Sequence, residues 1–279
     1  MISYLPIKPV QKFVPFLRKE LKYIEPNVWV ETRQKLKKFQ CSEPNYSIVL
    51  IARNEERYLF ACLASFAEMD IANKKVELLF VNNDSSDRTR FIAEQLGVVI
   101  IDEARPGWAE AREAGLERAK GEIILSADGD NIYPSTWFNT YVNILEKRPH
   151  VQLACGQYCF YTYDNKYPLS IIMYQWVRFF NSWMRSFKRP HLNAMGGNMV
   201  YRRESAIAVG GFKEGIGRGE DGDLALRLSA KGEILWLPQE EAFTHSSLRN
   251  VISEGTLVKT LFSKIWLHFK RIPEYLEIS

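Results

Sequence analysis

From residue 46 onward, apolar positions fall into two alternating patterns. Residues 47–52, 76–81, 98–101 and 122–127 are short, nearly unbroken apolar runs. They are too short for helices and predict strands buried on both faces of a parallel sheet. Between the runs the spacing becomes helical. Tyr58, Leu59, Cys62, Leu63, Phe66 and Met69 share one face, and Asn54 is placed to cap that helix, with Glu55 and Glu56 in its first turn. Phe91, Ile92 and Leu96 precede a stop at Gly97, and residues 108–119 precede a stop at Gly121. This alternation predicts an open α/β sheet with right-handed crossovers.

In such sheets ligands bind at the carboxyl ends of the strands. Each of the four runs ends in a polar cluster: Arg53-Asn54-Glu55, then residues 82–87, 102–105 and 128–131. The last carries Asp128 and Asp130 on either side of Gly129. Side chains two apart on an extended segment point the same way, so the two carboxylates can meet at one point. Two anionic oxygen donors at a strand end suit a hard divalent cation that also holds phosphate oxygens. The other reading of these six residues is an ordinary turn. No GxGxxG or GxxxxGK[ST] segment is present, so a glycine-cradled nucleotide is not expected.

Beyond Asn131 the pattern predicts a helix over 134–147 and a strand over 151–158. Residues 169–187 predict a helix with Leu169, Ile172, Met173, Trp176, Val177, Phe180, Trp183, Met184 and Phe187 on one face. Such a stripe predicts core packing; an acceptor site and a lipid contact are the alternatives. Gly196 and Gly197 permit close backbone approach. A glycine-rich loop (Gly215, Gly217, Gly219) runs into Glu220-Asp221 at the start of another helix. A flexible loop ahead of an acid suits a lid over a reactive centre; acids that merely complement a helix dipole are the alternative.

The totals narrow the function classes. The 279 residues are 46% hydrophobic and 25% charged, which excludes a disordered chain. The net charge of +4 is concentrated in residues 1–40, which hold nine Lys/Arg against three Glu. That mild excess does not ask for nucleic acid. Phe13, Phe16, Leu17, Leu21 and Ile24 recur there at helical spacing and predict a helix packed on the main domain, with an interfacial helix as the alternative. Cys41, Cys62, Cys155 and Cys159 match no zinc spacing and read as structural thiols. With no long apolar run, a cytoplasmic protein is expected, with a peripheral membrane contact left open.

In order along the chain, residues 47–55, 81–87, 119–130, Gly196-Gly197-Asn198, Gly210-Gly211-Phe212 and residues 220–224 resemble the motifs of the family 2 glycosyltransferases. The resemblance covers roughly residues 46–245. It implies a GT-A type open, mostly parallel α/β sheet flanked by helices over 46–250, with a basic appendage over 1–45 and an amphipathic helix over 251–279. It further implies a nucleoside-diphosphate sugar donor, contacted by Ile51, Arg53, Glu55, Asn83 and Arg105. Asp128 and Asp130 take the place of a DxD pair that binds Mg²⁺ or Mn²⁺ at the diphosphate. Asp221 takes the place of the general base, and Gly197, Asn198 and Glu220 lie in the region of the sugar and acceptor. His245 matches a histidine that completes the metal site in some members. The implied acceptor is a glycan or lipid-linked glycan.

There are departures from the family pattern. Asn82, Asn83 and Asp84 replace the usual residues after the second strand, and an asparagine usual in the helix before the DxD strand is missing around Ala111-Arg112-Glu113-Ala114. The Gln/Arg-x-x-Arg-Trp segment of processive synthases is also absent, so a single inverting transfer is expected. A sugar-nucleotide or glycan binding protein and a sugar nucleotidyltransferase are the rival readings. In the C-terminal segment, Leu257, Val258, Leu261, Phe262, Ile265, Trp266 and Phe269 share a helical face beside Lys259, Lys264, Lys270 and Arg271. That face would dock on a membrane, on a second subunit or on the domain itself.

Overall fold

The computed structural model describes residues 11–17, 20–161 and 169–247. The C-terminal segment discussed above lies outside the described residues. The four apolar runs form β1 (Tyr46–Ala52), β2 (Val76–Asn83), β3 (Val99–Glu103) and β4 (Ile123–Asp128). All four are mutually parallel, in the order β3-β2-β1-β4. The sheet continues through β8 (Asn198–Arg202), β6 (Val151–Cys155) and β9 (Glu233–Trp236). Strand β8 runs antiparallel to both β4 and β6, and β6 and β9 are parallel. A smaller sheet joins β5 (Asn131–Ile132), β10 (Thr244–Ser247) and β7 (Tyr158–Tyr161). The mostly parallel α/β sheet was expected; β5, β8, β9 and β10 were not read from the sequence, and the strand expected over 151–158 divides into β6 in the larger sheet and β7 in the smaller one.

The unbroken apolar runs follow from burial on two sides. Ile48, Leu50, Leu78, Phe80 and Leu125 point into one hydrophobic cluster, and Val49, Ile51, Leu79, Val81 and Ile124 into another. The first cluster is closed by α2 (Leu59–Ala67), α3 (Thr89–Leu96) and α5 (Trp137–Lys147). The second is closed by α4 (Trp108–Arg118), α7 (Arg203–Ala208) and α8 (Glu220–Leu228). Gly97 ends α3 in the left-handed region at φ 69°.

Three expectations change. Phe13, Leu17 and Ile24 are buried against the main core as expected, but they do so from positions flanking short 3₁₀ turns at Val14–Phe16 and Leu21–Tyr23. The N-terminal helix is instead α1 (Pro26–Leu36), opened by Pro26 at its first position. Asn54 does not cap α2, which begins five residues later. It sits at φ 55° and its Oδ1 accepts the Ser86 N–H at 2.8 Å, tying the β1 loop to the β2 loop. The third change concerns α6 (Leu169–Lys188). Its buried residues are Ile171, Tyr174, Gln175 and Asn181, whereas Leu169, Met173, Trp176, Phe180, Trp183 and Phe187 are exposed. Periodicity identified the stripe correctly but not the side that faces the protein. The inner face is held by Tyr174 stacked on Phe160 and by Phe179 against Trp236.

The entry to β4 is tightly constrained. The Gly121 N–H donates to Ser47 Oγ at 2.9 Å, and Ser47 Oγ donates to Glu77 Oε1 at 2.6 Å. A Cβ on Gly121 would come within 2.5–2.6 Å of the Tyr46 and Ser47 backbone. Main chain cannot rotate aside, so Gly121→Ala is expected to lower stability by about 1–3 kcal/mol or more. An unchanged urea midpoint would contradict this.

Candidate active site

A cleft of about 690 Å³ opens at the carboxyl ends of β1, β2 and β4. Its walls include Ile51, Arg53, Glu55, Asn83, Asp128, Asp130, Glu220 and Asp221, together with Arg112 and Gly196. Eight residues singled out from four separate stretches of sequence thus share one cavity.

Asp128 is the last residue of β4, so the strand itself aims it. Its backbone N–H donates to Tyr133 Oη at 2.8 Å, and that hydroxyl donates to the Gly197 carbonyl at 2.8 Å. Gly197 is small of necessity, because a Cβ there would run into the Asp128 carboxylate and the Tyr158 hydroxyl. Gly129 lets the chain turn where a Cβ would meet that of Ala52 at 2.7 Å. Asp130 also lines the cleft, partly exposed.

Asp221 lies in the first turn of α8, whose leading Gly219 has φ 97°. Its Oδ2 accepts the Gly196 N–H at 2.8 Å, and its Oδ1 accepts the Gly222 N–H at 2.7 Å. Burial, followed by the neighbouring Glu220 charge, raises its pKa above the ordinary carboxylate value. A carboxylate of raised proton affinity, open to a cleft, is suited to accept a proton.

Arg112, on α4, was not read as functional from the sequence. It is 3% exposed, and its guanidinium donates to Asp128 Oδ1 at 2.8 Å, Ser126 Oγ at 2.9 Å and Glu220 Oε1 at 3.4 Å. The attraction of Asp128 and Glu220 outweighs burial and keeps it charged. One signal was available. Arg112 stands four residues from both Trp108 and Leu116, amid Ala109, Ala111 and Ala114. A lone arginine among small residues on a helix face that must pack on a sheet has to find an anionic partner. Beside it, Glu113 Oε2 accepts the Phe212 N–H.

Other residues take supporting positions. Asn83 Nδ2 donates to the Arg105 carbonyl at 2.6 Å and its Oδ1 accepts the Gly107 N–H at 3.0 Å, which holds the loop after β3 against the cleft. Arg105 itself pairs with Glu103 and Glu214 and is not among the cleft-lining residues. Asn198 is fully buried, bonded to Trp137, Tyr141 and the carbonyls of Gln157 and Ala242. It builds the wall rather than facing the cavity. Arg218 faces the cavity from the glycine-rich loop.

The Asp128 and Asp130 carboxylates have the oxygen-donor chemistry a Mg²⁺ or Mn²⁺ ion prefers. Among the described residues no third His, Cys, Asp or Glu groups with them. His245 lies on β10, paired with Ile132 and Cys159, and does not line the cleft. Its Nδ1 is buried without a hydrogen-bond partner among the described residues, and burial lowers its pKa to about 4, leaving the imidazole neutral.

Residues 47–210 match the sequence profile of Glycosyl transferase family 2, more than half of the chain. The chain belongs to glycosyl transferase family 2. Relatives of this family 2 chain include the glycosyltransferase EpsJ of Bacillus subtilis, 28% identical over 120 residues, which is 41% of this chain and 34% of that one. A second is the Escherichia coli UDP-Glc:alpha-D-GlcNAc-diphosphoundecaprenol beta-1,3-glucosyltransferase WfgD, 28% identical over 116 residues, 40% of this chain and 45% of that one. The matched stretch therefore spans less than half the length of each. Among solved structures, TarS of Staphylococcus aureus superposes with a TM-score of 0.58 at 16% identity, covering 84% of this chain and 75% of that one. The Pyrobaculum calidifontis mannosyltransferase PcManGT, solved with GDP-Man and Mn²⁺, superposes at 0.57 with 18% identity, covering 95% and 80%. At that identity the likeness establishes the GT-A fold. No helix among the described residues is long and apolar enough to cross a membrane.

Proposed function

We propose that this protein transfers a glycosyl group from a nucleoside-diphosphate sugar to a hydroxyl of a glycan or lipid-linked glycan, once per encounter and with inversion at the anomeric carbon. The observation that carries this reading is a single cleft lined by Asp221, of raised proton affinity, and by the Asp128–Asp130 pair.

The residues divide the work. The end of β1, from Ile51 to Glu55, and Asn83 receive the nucleotide. Asp128, fixed by Arg112 and Tyr133, faces the ribose and donor sugar, and the absence of a side chain on Gly197 leaves room for its carboxylate. A divalent ion held by Asp130 with Asp128 would supply Lewis-acid stabilisation of the departing diphosphate. Asp221 takes the proton of the acceptor hydroxyl as its oxygen attacks the anomeric carbon. The C–O bond to the diphosphate breaks on the opposite side, which inverts the centre through an oxocarbenium-like transition state, as in glycoside hydrolysis. WfgD is named for a diphosphoundecaprenol-linked acceptor and GgaB of Bacillus subtilis for minor teichoic acid biosynthesis. These names support an acceptor in cell-surface polysaccharide assembly.

Incubation with a panel of nucleotide sugars and Mn²⁺ is expected to release nucleoside diphosphate even without acceptor. Binding without product would assign a sugar-nucleotide binding protein instead, and triphosphate formation dependent on pyrophosphate a nucleotidyltransferase. Chelation of divalent ions is expected to reduce release to background and added Mn²⁺ to restore it; undiminished release after chelation would remove the metal from this scheme.

A further inference from the structure

We infer that the outer face of α6 is a docking surface for an anionic lipid membrane, with the helix lying in the plane of the lipid–water interface. Leu169, Met173, Trp176, Phe180, Trp183 and Phe187 are between 42% and 71% exposed. Their spacing of three and four places them on one face about 27 Å long at the helical rise. Trp183 lies 5.7 Å from Phe180 and 4.9 Å from Phe187, ring centre to ring centre, so the aromatics form a continuous strip. Monomeric soluble proteins rarely expose an apolar surface of this extent.

Charge selects the partner. Residues 165–203 contain no Asp or Glu, and Lys188 and Arg189 stand at the end of the strip, while Arg178 is turned inward over the Phe160 and Tyr174 rings and Arg185 donates to the Leu192 carbonyl. Lys188 and Arg189 are exposed. Tryptophan and phenylalanine beside lysine and arginine, without acids, is the composition of a helix that rests in a headgroup layer and is drawn there by anionic lipid. The helix is not a span, because its 20 residues carry Arg178, Arg185 and Lys188. Two other occupants are disfavoured by the same charge. The stretch 257–271 of this chain holds four Lys/Arg and no acid, and a second copy's α6 would bring its own Lys188 and Arg189 and no acid to offset them. Each would set like charge against like.

The location matches the proposed chemistry, although the inference does not depend on it. Asn193, just past α6, donates to the Ser182 carbonyl on the helix at 2.8 Å, and the chain from Asn193 continues into the cleft-lining Met195 and Gly196. A membrane against α6 would therefore lie beside the wall that carries the Asp221–Gly196 contact, where a lipid-linked acceptor would arrive.

Co-sedimentation of the full chain with phosphatidylcholine vesicles, with and without phosphatidylglycerol, tests the inference. The chain is expected to partition onto the anionic vesicles and to be released by high salt. Trp176→Glu with Phe180→Glu is expected to reduce partitioning by at least about tenfold. Nucleoside diphosphate release without vesicles should be unchanged, since neither residue lines the cleft. Lys188→Glu with Arg189→Glu, at exposed positions, should weaken binding to anionic vesicles and leave the folding midpoint unaltered. Equal binding of wild type to neutral vesicles, or full binding by both α6 variants, would overturn the inference. So would a full-length Leu261→Glu/Trp266→Glu variant that loses all binding while the α6 variants lose none, which assigns the anchor to the C-terminal segment. A dimer dissolved by the α6 substitutions would assign the face to a second copy.

Discussion

Replacing Asp221 by Asn is expected to lower kcat/KM for transfer by about 10²–10⁴-fold, the usual contribution of a positioned general base, with donor affinity little changed. The amide oxygen can still accept the Gly196 N–H across the wall, at the cost of the bond from the adjacent Gly222 N–H, and the residues assigned to the nucleotide are untouched. What is lost is the group that takes the acceptor's proton. Calorimetric titration with nucleoside diphosphate and initial rates with acceptor separate the two effects, and wild-type turnover by the variant would remove Asp221 from the base role. The pH profile adds a check. Burial and Glu220 raise the folded-state pKa of Asp221. The base is active when deprotonated, so activity falls as pH drops through that raised value. The acid limb of kcat/KM therefore lies above the range of an ordinary aspartate and disappears in the variant. The sign for stability is the reverse of the common carboxylate case. The folded state holds this proton more tightly than the unfolded chain does, so ionised Asp221 costs stability above the raised pKa, and that cost is relieved as pH falls through it.

Arg112→Met is expected to cost about 3–5 kcal/mol of stability, because it leaves buried carboxylates without their counter-charge. The Arg112 and Glu220 side chains are 4% and 7% exposed, and that of Asp128 is 28% exposed, so solvent can compensate only on the Asp128 side. A denaturant midpoint within error of wild type would contradict the assignment. Arg112→Lys should fall between the two, since an ammonium lacks the planar fork that serves Asp128, Ser126 and Glu220 together. Because Arg112 lowers the Asp221 pKa, its removal should also move the acid limb of the rate profile to higher pH. A stability loss without that movement would leave Arg112 a structural residue only.

Much of this site was legible from spacing. Asp128 and Asp130 stand at the end of an apolar run, and strands in such sheets deliver their last side chains to the ligand. Asp221 was singled out by a glycine-rich stretch before a helix start, with acids complementing the helix dipole as the alternative, and its role as base came from the resemblance to family 2. Asn83 was legible for its loop, although its side chain braces the segment after β3 as well as lining the cleft. Arg112 was missed because its partners are 14, 16 and 108 residues away in sequence, and helical periodicity has no term for a buried ion pair. Asn198 was read as a site residue, yet its four contacts hold the wall together, a role decided by Trp137 and Tyr141 on a distant helix. The α6 stripe misled for a related reason. Hydrophobic periodicity identifies an apolar face without saying which neighbour it meets, and here the protein's own core took the face bearing Ile171 and Tyr174.

The antiparallel strand β8 has a consequence for the order in which the enzyme forms. In the larger sheet it alone joins the β3-β2-β1-β4 half to β6 and β9. The first half is complete by residue 128 and its pairings are local, so it can assemble during synthesis while the rest is still emerging. Strand β6, although made earlier, has no partner until residues 198–202 return to β4, a closure across some seventy residues. Asp221 comes later still. The half that carries the Asp pair is thus expected to gain protection from hydrogen exchange before the half that carries Asp221, and a polypeptide arrested before β8 would lack the side of the cleft that Gly196 and Asp221 supply.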